Sequence, residues 1–345
     1  MLPDVATIEA MIDVAFWASL RREEGYVPAI SLAYIAPEQA PVALRLERPL
    51  PLAPQWLTRL SPAVERPGVH LGVWRDNGEL MVWGATRKLP PFSFVLEVIA
   101  PGLLVVKHSP VEGSGKFMNV AVFEGEQIKI IDQNAQALAD CPGVLFSLLG
   151  LEANGNPEAG AGEGVWIRIA ASMRRHGRGG SLLVVPSGSQ EWRDSILHPV
   201  TYALDPSFTG LTDLLHKDPA ERQLGRWQEA LTRAIDAVAG LTAVDGAMIL
   251  TDRVELLAFG AKIVRRRGFA QVNRIVVSEP VQGVQPVEVE PSAMGGTRHL
   301  SAAQFTHDQR DAIALIASQD RRFTVFAWSP CDETVLAHRI DALLM

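Results

Sequence analysis

Two short stretches indicate what kind of domain this chain contains: Gly-Gly-Thr-Arg-His-Leu-Ser-Ala-Ala at residues 295–303 and Val-Asp-Gly-Ala-Met-Ile-Leu at residues 244–250. The first joins glycine, a hydroxyl, a guanidinium and an imidazole where a helix is expected to begin, at about Leu300. The second places a carboxylate directly before an apolar strand. Helix N-termini and arginine suit phosphate, and a carboxylate suits a divalent metal ion. Together they predict two walls of one nucleotide site.

The first stretch supplies the predicted phosphate contacts. Gly295 and Gly296 allow the chain to turn sharply, which places Arg298 beside a helix N-terminus. An anion bound there would relieve the repulsion between the guanidinium and the positive end of the helix, so we favour phosphate as the ligand. Two alternatives stay open: Thr297 would cap the helix, and Arg298 and His299 would be solvated surface residues.

The second stretch supplies a candidate metal ligand, Asp245. The neighbouring Gly246 has no side chain and allows a close backbone approach. As an isolated Asp-Gly pair, however, the same two residues are typical of a turn in a loop.

A third stretch, Ser318-Gln319-Asp320, follows a predicted strand at 311–317 and by itself is typical of a hairpin turn. If that strand lay beside the predicted strand 246–251, Asp320 and Asp245 could share one metal ion. Two carboxylates with triphosphate oxygens are a normal set of ligands for magnesium or manganese.

The composition excludes several classes of protein. The 345 residues are 48% hydrophobic and 21% charged, as in an ordinary globular protein with room for two domains. The net charge of −7 argues against a general nucleic-acid binder. No apolar run approaches the roughly 20 residues that span a bilayer, the first residues lack the bases of a signal peptide, and the two cysteines form no CxxC pair. We expect a cytoplasmic protein without nucleic-acid or membrane partners.

The chain divides at residues 152–164, which are rich in glycine and small side chains and typical of a flexible linker. Residues 1–151 predict a β-rich α+β domain with helices at 4–24 and 135–150. A loop is expected at the prolines between 49 and 62. The predicted strands are 29–35, 42–47, 69–75, 79–85, 92–98, 102–107, 117–123 and 127–131.

Residues 165–345 predict a mixed sheet flanked by helices, so we expect an α/β chain with a β-rich first half. A short helix is expected after the Thr-Arg-His segment. The other predicted helices are 165–176, about 220–240 and 333–344. The predicted strands are 181–186, 246–251, 254–260, 272–278, 311–317 and 323–328.

The order of these motifs resembles that of the diadenylate cyclase domain, also called the DAC or DisA_N-like domain. Asp-Gly-Ala comes first, then Gly-Thr-Arg-His, then Ser-x-acid after a strand. The likeness extends to Gly-Gly-Ser-Leu-Leu-Val-Val at 179–185 and to the segment 208–215, and it covers roughly residues 165–345. Residues 1–151 resemble neither the helix-hairpin-helix DNA module nor the membrane segments that accompany known cyclases.

The resemblance implies that two domains meet face to face, each holding one ATP. The 3′-hydroxyl of one nucleotide would attack the α-phosphate of the other, giving cyclic di-AMP and two pyrophosphates. It implies catalytic roles for Asp245, Arg298 and His299, and a magnesium or manganese ion on Asp245 and Asp320. The nucleotide contacts that it implies are Gly246, Ala247, Gly296, Thr297, Arg298, His299 and Ser318.

The chain departs from the family pattern at two positions. Leu300 stands where the family has a second arginine, which removes one charge-assisted phosphate contact. Ser318-Gln319-Asp320 stands where the family has Ser-Glu-Glu, so the acid that remains is one methylene shorter. Domains altered in this way are similar to nucleotide sensors of bacterial signalling or defence, of the DACNV type.

The sequence therefore predicts a sensor that binds ATP or a cyclic dinucleotide. An active diadenylate cyclase is the first alternative, and an interaction protein with a vestigial pocket is the second. The expected partners are the nucleotide, a second copy of the chain in a homodimer or higher oligomer, and an effector protein.

Overall fold

The chain folds into two units, each built on its own mixed β-sheet. The computed structural model describes residues 2–22, 25–65, 68–109, 117–132, 164–222, 225–320 and 322–345. The first unit holds the described residues up to Asp132, and the second holds those from Gly164 to Leu344. The predicted helix at 135–150 and the predicted linker at 152–164, apart from Gly164, lie outside the described residues. The domain boundary stays a prediction.

The first unit is an eight-stranded sheet whose core packs against two helices, α1 (Val5–Ser19) and α2 (Pro54–Val64). The order of its strands is β2-β4-β3-β1-β5-β6-β7-β8, and all pairs are antiparallel except β1 with β3. The strands are β1 (Ile30–Tyr34), β2 (Ala43–Pro51), β3 (His70–Asp76), β4 (Glu79–Thr86), β5 (Phe94–Ala100), β6 (Leu103–His108), β7 (Met118–Glu124) and β8 (Gln127–Ile130).

The prediction of a β-rich first half is confirmed, and all eight predicted strands form. The loop predicted at the prolines is wrong. Pro49 and Pro51 lie in β2, which is an edge strand. One side of an edge strand has no neighbouring strand, so the N–H groups that proline lacks are not needed there. Pro54 begins α2, where a missing N–H removes no helical hydrogen bond.

The second unit is a nine-stranded sheet with helices on both faces, which confirms the α/β class. Its strand order is β10-β12-β11-β9-β15-β16-β17-β13-β14. The helices are α3 (Val165–Arg175), α4 (Gly210–Leu215), α5 (Pro219–Arg222), α6 (Gly225–Leu241) and α7 (Thr297–Asp308). The strands are β9 (Gly180–Val185), β10 (Tyr202–Phe208), β11 (Ala247–Thr251), β12 (Leu256–Ala261), β13 (Ile275–Ser278), β14 (Val287–Val289), β15 (Ile313–Ala317), β16 (Phe323–Ser329) and β17 (Thr334–Arg339).

The helix predicted at 333–344 is wrong. Residues Thr334–Arg339 form β17, and only Asp341–Leu343 turn as a 3₁₀ helix. Val335 packs on one face of the sheet and Leu336 on the other, because this strand is covered on both sides. A strand buried on both faces reads as a continuous apolar run, which periodicity alone does not separate from a helix.

The topology brings the termini of three strands to one edge of the second sheet. Strand β11 runs parallel to β9, and β15 runs antiparallel to it. The starts of β9 and β11 therefore lie beside the end of β15. The predicted strands 246–251 and 311–317 are not neighbours, since β9 lies between them.

Candidate functional site

A cleft of about 730 Å³ lies at this edge of the second sheet. Its volume is in the range of small-molecule sites. The structure brings all nine sequence-predicted site residues to its lining: Asp245, Gly246, Ala247, Gly296, Thr297, Arg298, His299, Ser318 and Asp320.

One row of side chains crosses five strands along the floor of the cleft. The strand register places Ser181 opposite both Ala247 and Ile316, and Thr324 opposite both Ile316 and Arg339. Directly opposed residues share one face of a sheet, and all five line the cleft. Ser181 and Thr324 are buried, so the row offers two hydroxyls: that of Ser181 lies between Ala247 and Ile316, and that of Thr324 between Ile316 and Arg339.

Helix α7 begins at the wall of the cleft. It starts at Thr297, three residues before the position expected from sequence, and its N-cap is Gly296. Thr297 is therefore not the capping residue. The N–H of His299 donates to the carbonyl oxygen of Gly296 at 3.1 Å. Glycine has no side chain that could accept from the N–H groups of Thr297 and Arg298, so these two donors are available to an anion in the cleft.

Arg298 is half-buried on the first turn of α7 and packs against a distant part of the chain. Its guanidinium lies against Gly179, in the glycine-rich turn before β9. The sequence analysis names this glycine only within the stretch 179–185 that resembles the family. The contribution of the turn here is the missing side chain of a glycine, which leaves space for the arginine.

Asp245 is paired with a lysine that the sequence analysis did not identify. The Nζ atom of Lys262 lies 2.5 Å from Asp245 Oδ2. The hydrogen bond from Lys262 and its charge lower the pKa of Asp245, with a smaller contribution from Arg298. The carboxylate is thus held ionised, and its oxygen already has a cationic donor.

Gly246 makes the close backbone approach that its sequence context predicts, although the neighbour is another strand of the same sheet. Its φ is +115°, and a β-carbon there would fall 2.5 Å from the carbonyl carbon of Gly260. The glycine therefore lets the chain pass close to β12 just before β11 begins, which sets the position of the neighbouring Asp245.

Asp320 lies in the turn between β15 and β16. It pairs with Arg322, whose Nε is 3.4 Å from Asp320 Oδ2. The N–H of Ser318 donates to the carbonyl oxygen of Arg322 at 2.9 Å and so closes this turn at the rim of the cleft.

His299 is buried in the wall of the cleft, against Gly295 and edge-on to Phe326 at 6.1 Å between ring centroids. Burial is the largest cause that lowers its pKa from 6.5; the nearby arginines lower it further, and Asp320 opposes them. The imidazole is therefore neutral near pH 7 and offers a hydrogen bond without a charge.

The cleft carries a positive charge in an acidic protein. Four cations (Lys262, Arg298, Arg322 and Arg339) and two carboxylates (Asp245 and Asp320) line it, so four against two leaves +2. Glu279, which pairs with Arg339 at 3.3 Å, reduces this to +1 without reversing it. The whole chain has a net charge of −7, so the cleft is locally positive, and this charge favours an anionic ligand.

The two carboxylates do not suit a shared metal ion. Each is ion-paired with a cation, and their backbones are separated by the intervening strand β9. Across the described ranges, no group of three or more His, Cys, Asp or Glu side chains could hold a metal.

Residues 1–87 match a family model described as "Probable sensor domain DACNV". This stretch is therefore similar to that family. The match bears out the predicted resemblance to DACNV-type sensors. It covers α1, α2 and the strands up to β4, whereas the motifs that pointed to the superfamily lie in the second unit.

Among solved structures, a double mutant of DacA from Staphylococcus aureus is similar to this chain. The sequences are 15% identical, and the likeness covers 50% of this chain and 83% of that chain with a TM-score of 0.26. No curated protein matches the chain significantly. Within the described residues, no helix is both long enough and apolar enough to cross a membrane.

Proposed function

We propose that the cleft of the second unit binds ATP or a cyclic dinucleotide and that the chain is a sensor of this ligand. The observation that carries the proposal is the helix N-terminus beside Arg298, which opens onto a positively charged cleft in an acidic chain. Backbone N–H donors, a guanidinium and excess positive charge are the features that bind phosphate.

The remaining lining suits the other parts of a nucleotide. The buried hydroxyls of Ser181 and Thr324 offer hydrogen bonds to a sugar or a base edge. Ala247, Ile316 and Met294 supply apolar surface for a base. Phosphate groups would lie nearer to Thr297 and Arg298, at the end of the cleft formed by α7.

The match of residues 1–87 supports a signalling role for the bound ligand. The family whose model they match is described as a probable sensor domain, and these residues lie in the same chain as the cleft. We propose that ligand occupancy changes how the chain contacts an effector protein or a second copy of itself. Because such nucleotides are cytoplasmic metabolites, the proposed place of action is the cytoplasm.

Titration calorimetry of the full chain with ATP and with cyclic di-AMP tests this function. Arg298→Ala should weaken binding by about tenfold to a hundredfold, the range expected for a lost charge-assisted contact of about 1.5–3 kcal/mol. Arg175→Ala is the matched control, because Arg175 is an exposed arginine that is paired with Asp236 at 3.4 Å and does not line the cleft.

The same protein distinguishes the two alternatives. Formation of cyclic di-AMP and pyrophosphate from ATP with magnesium or manganese would replace the sensor by a cyclase. If the folded chain bound neither nucleotide and Arg298→Ala changed nothing, an interaction protein with a vestigial pocket would remain.

A further inference from the structure

We infer that Lys262 replaces a divalent cation in this cleft, so that the phosphate ligand binds without a metal ion. The inference rests on the proposed nucleotide binding and adds how the charge of the ligand is neutralised.

The position of Lys262 is the first support. Its ammonium nitrogen lies 2.5 Å from Asp245 Oδ2. A magnesium or calcium ion binds carboxylate oxygens at about 2.0–2.6 Å, so the ammonium nitrogen lies where a metal ion on Oδ2 would lie. A metal ion on the other carboxylate oxygen would lie close to the ammonium group and be repelled by it as a like charge.

The backbone around Lys262 is fixed as well. The carbonyl oxygen of Lys262 accepts a hydrogen bond from the Leu197 N–H at 2.8 Å, and the Val264 N–H donates to Ser195 O at 2.9 Å. Just before the lysine, Ala261 of β12 is opposite Ala247 of β11. The lysine is therefore placed at the start of β11 by the sheet and does not depend on its ion pair to stay there.

The chemistry of an ammonium group fits the role. It has three N–H donors, and the bond to Asp245 uses one, so two are available for phosphate oxygens. Lys262 also lines the cleft together with Arg298. One lysine can thus join the carboxylate to the anion, as a bridging metal ion would.

The second carboxylate gives independent support. Asp320 is paired with Arg322. It also leaves the sheet at the end of β15, two strand spacings from the start of β11 and so roughly 10 Å away at the backbone. A shared metal ion is not needed to attract an anion, because the lining of the cleft is already positive.

A structural role for the ion pair would be weak. The side chains of Lys262 and Asp245 are 51% and 91% exposed, and exposed pairs add little stability. Lys262→Met should therefore leave the melting temperature within about 2 °C of the wild type, while binding changes.

The test uses the full chain and titrates ATP and cyclic di-AMP separately, once in EDTA and once with magnesium or manganese. Wild-type affinity for cyclic di-AMP should be the same within about twofold in both conditions. Lys262→Met should lose about tenfold in EDTA, and the metal ions should restore most of that loss, since Asp245 is then free to bind them.

Lys217→Met is the matched control. Lys217 is 51% exposed, like Lys262, and pairs with Glu221 at 3.6 Å away from the cleft. It should bind as the wild type does in both conditions.

Three results would overturn the inference. The first is wild-type binding that requires metal, which would leave the proposed function standing. The second is unchanged binding by Lys262→Met in EDTA. The third is a loss that no metal restores, because Lys262 would then not stand in a metal position. Absence of binding to both nucleotides in every condition would instead overturn the proposed function.

Discussion

Arg298 of α7 and Gly179 of the turn before β9 are in direct contact: a β-carbon added to Gly179 would fall 2.6 Å from Arg298 Nη1. The same β-carbon would lie 3.2 Å from the carbonyl oxygen of Ala317. Gly179 has a φ of +71°, in the left-handed region that favours glycine. The glycine thus leaves the space that the guanidinium occupies, although the two positions are 119 apart in the sequence.

Gly179→Ala should therefore reduce nucleotide binding, with Gly177→Ala as its control. Gly177 has a φ of +64° and nothing within 4 Å of an added β-carbon. Both variants should lose about 1–2 kcal/mol of stability from the left-handed backbone. Only Gly179→Ala should also displace Arg298 and weaken ATP binding about tenfold in calorimetry. Equal affinity in the two variants would show that the contact does not position the arginine.

The motif residues could be predicted because each motif is a short run of neighbouring residues. Glycines before a hydroxyl, a guanidinium and an imidazole favour an anion site where a helix begins. All nine residues chosen from the three motifs line the cleft. Their functional roles stay predictions, since position alone does not establish them.

The remaining cations could not be identified from sequence. Lys262, Arg322 and Arg339 reach the cleft because β12, β16 and β17 bring them to one edge of the sheet. Arg339 lies in the stretch that periodicity assigned to a helix. Leu300, which stands where the family pattern has a second arginine, is 36% exposed and does not line the cleft. The guanidiniums of Arg322 and Arg339 line it instead, and neither residue belongs to the Thr-Arg-His motif.

Gly246→Ala should destabilise the second unit, because both its φ of +115° and its neighbours require glycine. The added β-carbon would meet backbone atoms of Gly260 and Ala261 at 2.5–2.8 Å, and backbone cannot move aside as a side chain can. We expect a loss of about 3 kcal/mol or more in urea unfolding.

Gly240→Ala provides the comparison for that experiment. Gly240 lies in α6 with nothing within 4 Å, so alanine should stabilise the helix by about 0.5–1 kcal/mol. A Gly246→Ala protein as stable as the wild type would mean that β11 and β12 do not approach this closely.

The stability of the second unit should fall in mild acid because of His338. Burial lowers the pKa of His338 from 6.5 to about 4, and its Nδ1 is 2.6 Å from Ser278 Oγ. Between these values the unfolded chain binds a proton that the folded chain does not. The stabilisation is therefore complete above pH 6.5 and is lost as the pH falls toward 4, by about 3 kcal/mol in all.

His338→Gln isolates this contribution, because glutamine does not titrate and can still hydrogen-bond to Ser278. Urea unfolding of both proteins from pH 7 to pH 4 should give a shallower loss for the variant. Burial also lowers the pKa of His299, so the wild-type profile contains a second contribution of the same sign. Parallel profiles for the two proteins would contradict the assignment to His338.

Asp320→Asn should raise the affinity for ATP, whereas Arg322→Ala should lower it. Asp320 and Arg322 form one ion pair at the rim of the cleft, so removing the carboxylate adds to the excess positive charge and removing the guanidinium subtracts from it. The side chains are 59% and 62% exposed, so each change should be modest, about threefold, and should shrink in 0.5 M salt, where the Debye length falls to roughly 4 Å. Calorimetry at low and high salt, in EDTA and again with magnesium, measures both effects.

A metal site predicts the opposite sign for Asp320→Asn when magnesium is present, because the amide is a poorer ligand than the carboxylate. A loss of affinity in that variant would therefore identify Asp320 as a metal ligand and argue against a purely anionic site.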